Sequence, residues 1–159
     1  AKSVREEKSK LRFSLQDFSI SSATLVRGRE VWRITGAKER YNLFSELKNE
    51  KEKLFTVAQI LNLLERLIHG EEKNEYLFDT LCHGLEFLKE NKIDKEMLKN
   101  LEHLIVLRML YSLGYIAKKE QFGELLQLTV VDEKMLKKTQ SEREHIVPAI
   151  NTALKEAHL

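Results

Sequence analysis

The stretch from Thr24 to Gly36, TLVRGREVWRITG, constrains the fold more than any other part of the chain. It reads as a β-hairpin with a two-residue loop, Gly28-Arg29, in which glycine at the first central position suits a type II′ turn. That register pairs Arg27 with Glu30, Val26 with Val31, Leu25 with Trp32, Thr24 with Arg33 and Ala23 with Ile34. Side chains alternate along a strand, so Ala23, Leu25, Trp32 and Ile34 share an apolar face, and Trp32 is expected to pack in a core, with stacking against a base as the alternative. A one-residue slip would scatter the apolar set over both faces, which argues for this pairing. The hairpin also carries Arg27, Arg29 and Arg33, a cationic β-surface.

Upstream, Lys2 to Lys10 is a polar, charged run with the pattern of a loop. Leu11, Phe13, Leu15, Phe18 and Ile20 supply the apolar positions of one or two short strands, so three strands at most fit before Ala37. Phe18 and Ile20 have the opposite parity from Ala23 and Leu25, and a β-bulge near Ser21-Ser22 would bring both pairs to one face.

Charge divides the chain. Residues 1–40 hold ten basic and five acidic residues, a balance of +5, whereas 41–159 hold 17 basic and 20 acidic, a balance of −3. A basic β-part joined to a mildly acidic remainder fits a polyanionic partner for the first, and equally a solvated charged surface. No apolar run approaches the ~20 residues of a membrane span. No secretory signal pattern opens the chain, and the expected location is cytoplasmic.

From Lys38 the apolar period becomes helical. Arg40 to Lys48 reads as a short helix showing Tyr41, Phe44 and Leu47 to the core. Phe55, Ala58, Leu61, Leu64 and Ile68 form a stripe on the next helix, which ends at Gly70. Leu77, Leu81, Leu85 and Leu88 mark a third, roughly 74–90. Asp94 caps a fourth from Lys95 to Leu113, apolar nearly all round between Leu104 and Leu113 and therefore the buried centre of the helical part. Gly114 ends it. Shorter helices are expected over Lys118–Leu128 and from an Asp132 cap through Lys138. Ser141 and Glu144 form a capping box for a last helix, which Pro148 should kink or restart. The fold class is mainly α with a small β part: a β region over 1–37 and a helical domain over 38–159.

Signals for catalysis are weak. Neighbouring Cys82 and His83 point about 100° apart on a helix, a poor nucleophile–base pair, and Cys82 reads as a small core residue. His83, Glu86 and His103 lack a metal-binding spacing, and there is no Gly-rich phosphate loop or serine nucleophile elbow. No enzyme activity and no cofactor are expected.

Two runs resemble the bacterial recombination mediator family RecO. One is AKSVR through KSKLR to LQDF, leading into LVRGR and WRITG. The other is LYSLGY, Leu110 to Tyr115, closing the buried helix. The resemblance implies an N-terminal OB-fold barrel, here partial and OB-fold-like, followed by a helical bundle. It implies a non-catalytic, nucleoid-associated protein of DNA repair and recombination that binds single- and double-stranded DNA. Such a protein anneals strands and helps load RecA recombinase onto strands coated by single-strand-binding protein. On that pattern Lys2, Arg5, Lys8, Lys10 and Arg12 fall in the DNA-contacting region, with Arg27, Arg29 and Arg33 beside it. Implied protein partners are RecR and the acidic, apolar-ended C-terminal tail of single-strand-binding protein. Arg108 is the first candidate cation for that tail, against a structural ion pair with an acid such as Glu65 or a snorkelling side chain. Lys118 and Lys119 are the fallback. The chain departs from the family pattern by starting part-way through the OB domain and by lacking a four-cysteine zinc module, so no zinc is expected. The alternatives are a helical protein-interaction module without DNA binding, and a metal-dependent hydrolase.

Overall fold

The computed structural model describes residues 10–29, 31–70, 73–117 and 122–159. The fold is mainly α with a small β part, and the chain divides into two compact units, Ala1–Leu54 and Phe55–Leu159.

In the first unit, β1 (Ser19–Arg27) and β2 (Trp32–Asn42) form a two-stranded antiparallel sheet followed by α1 (Leu43–Leu47). The hairpin forms, but its register differs from the expected one. Arg27 pairs with Trp32, Val26 with Arg33 and Leu25 with Ile34, and Gly28 N–H donates to Val31 O at 2.9 Å. The turn is thus centred one residue later, and Gly28 does not take the positive φ that a type II′ turn requires there. From Leu25 to Arg27 the shift moves β2 by two residues relative to β1, so Leu25, Trp32 and Ile34 still share a side, whereas Thr24 and Ala23 are offset by three and face Gly36 and Ala37. Register shifts fall between Ile20 and Ser21, close to the expected bulge, and between Thr24 and Leu25. Leu11 to Leu15 is a turn rather than a strand, with Ser14 N–H and Leu15 N–H both donating to Leu11 O.

β2 continues to Asn42, so the expected helix over Arg40–Lys48 shortens to α1. Asn42 sets that boundary. Its side-chain oxygen accepts from Ser45 N–H at 3.1 Å, capping α1, while its amide donates to Asp17 O and Ser19 Oγ. Helix α2 (Lys51–Leu67) runs from the first unit into the second. Its buried positions are Lys53, Thr56, Val57, Ile60 and Leu67, not the expected stripe: Phe55 is 64% exposed and Ile68 is exposed as well.

The second unit is built on α4 (Lys95–Ser112), which packs against α3 (Glu75–Glu90), α5 (Gly123–Gln127), α6 (Glu133–Ser141) and α7 (Arg143–Glu156). Every residue from Leu104 to Leu110 is buried, as the all-round apolar pattern requires. Asp94 accepts from Met97 N–H and Asp132 from Met135 N–H, each at 2.7 Å, so both acids cap their helices. Asn74 caps α3 in the same way through Leu77 N–H. Gly114, at φ +82°, closes α4: its N–H donates to Tyr111 O and the Tyr115 N–H to Leu110 O. The close approach of α3 to α4 depends on Gly84, where a Cβ would lie 2.5 Å from Ile105 Cδ1. The Ser141–Glu144 capping box does not form. Ser141 Oγ donates back to Lys138 O, and α7 continues through Pro148 without restarting. The helix expected over Lys118–Leu128 is the shorter α5; residues 118–121 lie outside the described residues.

Candidate nucleic-acid interface

The hairpin tip brings three of the candidate arginines together. Arg27, the last residue of β1, faces Trp32, the first of β2, and its guanidinium carbon lies 5.6 Å from the indole centroid, within cation–π range. Arg29 is exposed in the turn. Arg33 opposes Val26 on the other face, and its Nε comes within 3.9 Å of where a Gly28 side chain would begin. The arginines therefore surround the turn instead of lining one side of the ribbon.

The apolar side chains of the tip are exposed too. Leu25 is 52%, Val31 59% and Trp32 46% exposed, and Val26 lies open on the opposite face. This overturns the expected core packing of Trp32. Strand alternation defines a shared face but does not state what covers it.

The upstream basic residues separate into two groups. Lys10 and Arg12 are exposed on the turn before β1, which Ser21 ties down by donating from Oγ to Ser14 O. Ser21 and Arg27 are six residues apart on β1, so at ~3.3 Å per residue this turn sits about 20 Å along the strand from the tip. Lys2, Arg5 and Lys8 lie outside the described residues.

Arg108 has a different environment. It is 0% exposed, and it donates from Nε to Leu125 O at 2.7 Å, from Nη1 to Thr129 O at 3.0 Å, and from Nη1 and Nη2 to Val130 O. Arg108 as the candidate cation on a groove rim is thus corrected in favour of a structural role: its hydrogen-bonding groups are directed at backbone carbonyls and do not reach solvent. The expected alternative of a Glu65 ion pair is also absent among the described residues. Burial lowers the Arg108 pKa, opposed by the fields of Tyr76 and Asp132. Tyr76 Oη donates to Leu126 O at 2.8 Å and His83 Nδ1 lies 3.0 Å from Thr129 Oγ1, so α3 and α4 together hold α5 and the segment after it. No residue-type signal could have found these acceptors, because they are main-chain carbonyls. Lys118 and Lys119 lie outside the described residues.

The second unit carries a groove of about 480 Å³ between the end of α2, the start of α3 and the residues after α4. Leu64, Ile68, Leu77 and Phe78 line it, with Lys73 and His69 as its charged or titratable groups. Sequence reasoning did not pick it out, because its walls come from three separated segments. Among the described residues no three His, Cys, Asp or Glu side chains converge as a metal site, and no helix is long and apolar enough to cross a membrane.

The chain is similar to the DNA repair protein RecO of Alkaliphilus metalliredigens strain QYMF, 29% identical over 96 residues. The match covers 60% of this chain and 39% of the relative, and it supports the resemblance to the RecO family. No family model and no solved structure matches the chain.

Proposed function

We propose that this chain is a non-catalytic DNA-binding protein of repair and recombination, whose hairpin tip contacts the phosphates of single-stranded DNA. The observation that carries this reading is the exposed cluster of Arg27, Arg29 and Arg33 around one turn, within a segment of net charge +5. A guanidinium matches phosphate geometry and is weakly hydrated, so three of them around one turn favour a polyanion over a lone carboxylate. Lys10 and Arg12 extend the basic surface away from the tip, and Lys2, Arg5 and Lys8, which precede them in sequence, are proposed as further phosphate contacts. The similarity to a DNA repair protein agrees in kind. Annealing of strands, contact with double-stranded DNA, recombinase loading and association with RecR belong to the same reading.

The tail of single-strand-binding protein is the second partner in this reading. Its acidic residues and apolar end match a groove with apolar walls and Lys73 at its margin. That groove takes over the docking role considered for Arg108. Lys118 and Lys119 remain proposed further cations for the tail.

The test is fluorescence anisotropy with a labelled single strand across a salt series. With about five phosphates contacted, log K should fall with log salt at a slope near −3.5, at roughly −0.7 per phosphate on single strands. Reversal of Arg27, Arg29 and Arg33 to Glu should remove most binding, and unchanged affinity would overturn the reading. For the tail, Lys73→Glu and Phe78→Ala should each weaken binding of an acidic, apolar-ended peptide.

A further inference from the structure

We infer that Trp32 is a base-stacking platform, and that it makes the hairpin tip select unpaired over paired nucleic acid. The inference rests on the DNA-binding reading above and adds to it the residue that reads base exposure.

Phosphate-binding arginines alone do not account for the tip. Leu25 and Trp32 are about half exposed on the face of the ribbon that Arg27 shares, and Val31 and Arg29 are exposed in the turn, so the surface is both cationic and apolar. A duplex offers such a surface phosphates but keeps its base faces stacked inside. A single strand offers phosphates and flat apolar base faces together, which is the combination the tip complements. Trp32 stands at the first position of β2, opposite Arg27, where the cross-strand pairing holds the indole beside the guanidinium. That neighbour orients the ring and sets a positive charge within reach of the phosphate of a stacked nucleotide. The placement of the residues supports the same assignment: exposed Leu25 shares the face of the ring, and the arginines surround the turn.

Trp32 is the one tryptophan in the chain, so its emission reports this position alone. Three probes are titrated against the full chain: a short oligodeoxythymidylate, a duplex of equal length, and an abasic oligomer that keeps the phosphates and lacks the bases. Anisotropy measures binding, and emission measures stacking. Thymidylate is expected to quench Trp32, while the duplex and the abasic oligomer bind without quenching. Trp32→Ala should lower thymidylate affinity about 5- to 150-fold, the range for loss of one stacked base. It should leave abasic affinity unchanged, and Trp32→Phe should retain part of the thymidylate affinity. Thymidylate binding without quenching, with Trp32→Ala at wild-type affinity, would overturn the platform and leave the DNA-binding reading standing. An equal loss on thymidylate and abasic strands would also overturn it, since the ring would then only support Arg27. Equal quenching by the duplex would overturn the selectivity. Absence of binding to any strand would remove both readings, and a Trp32 blue shift with anionic phospholipid vesicles alone would assign the tip to a membrane surface instead.

Discussion

Arg108 and Arg27 are the same residue in opposite settings. Arg108, on the central helix of the second unit, is 0% exposed and binds three backbone carbonyls. Arg27, on the hairpin of the first unit, is exposed and lies against the face of an indole that is itself half exposed. A buried guanidinium is tolerated only if fixed acceptors replace its water, and the price is that it can no longer meet a ligand. An exposed one keeps its water and its freedom to exchange that water for phosphate. The contrast separates an arginine that organises structure from one suited to binding, although both interrupt apolar sequence.

Substitutions in the two regions should therefore move different observables, with the largest stability effects in α4. Leu107→Ala and Leu110→Ala, both at fully buried positions, should each destabilise by about 2–5 kcal/mol in urea denaturation, as large-to-small core changes do. A loss below about 1 kcal/mol for both would mean that α4 is not the centre of its unit. Arg108→Ala follows. It strips the donors from Leu125 O, Thr129 O and Val130 O, and at ~1–3 kcal/mol per buried unsatisfied group the loss should reach about 3 kcal/mol. Arg108→Lys should recover only part of it, because one ammonium cannot reproduce the guanidinium fork. Near-native stability of Arg108→Ala would blur the distinction between the two arginines.

A smaller effect is expected from pH. Burial, then the positive fields of Arg143 and Lys99, lower the pKa of His103 below its ordinary 6.5. The unfolded chain then binds this proton more readily, so stability present above about pH 6.5 is lost as pH falls towards the folded value. His103→Gln should flatten that part of the pH–stability curve measured by thermal melts. Acid-side curvature unchanged by the substitution would assign it to other groups. The smallest stability change is expected at the tip. Reversal of Arg27, Arg29 and Arg33 should change the stability of the helical unit by no more than the ~0.5 kcal/mol typical of surface changes, read from its thermal midpoint, even as DNA binding disappears. A large drop in the midpoint would show that the tip arginines also hold structure.

What could be read from the sequence was local. Asp94 and Asp132 cap helices because each carboxylate reaches an N–H three residues on, within the same turn. Gly114 ends α4 because the chain there needs a left-handed residue. The Leu104–Leu113 run had to lie at a centre because no face of it suits water. Near its tip the hairpin formed with its face parity intact, since a two-residue shift returns Leu25, Trp32 and Ile34 to one side. The rest depended on what lies across space. The stripe of α2 turned towards Val57 and Ile60 instead of Phe55, Ser141 bonded backwards instead of forwards, and Arg108 found carbonyls 17 to 22 residues away. Trp32 stayed at the surface for the same reason. Alternation along a strand determines which side chains are neighbours, but only the packing of other elements decides whether their shared face meets protein or solvent.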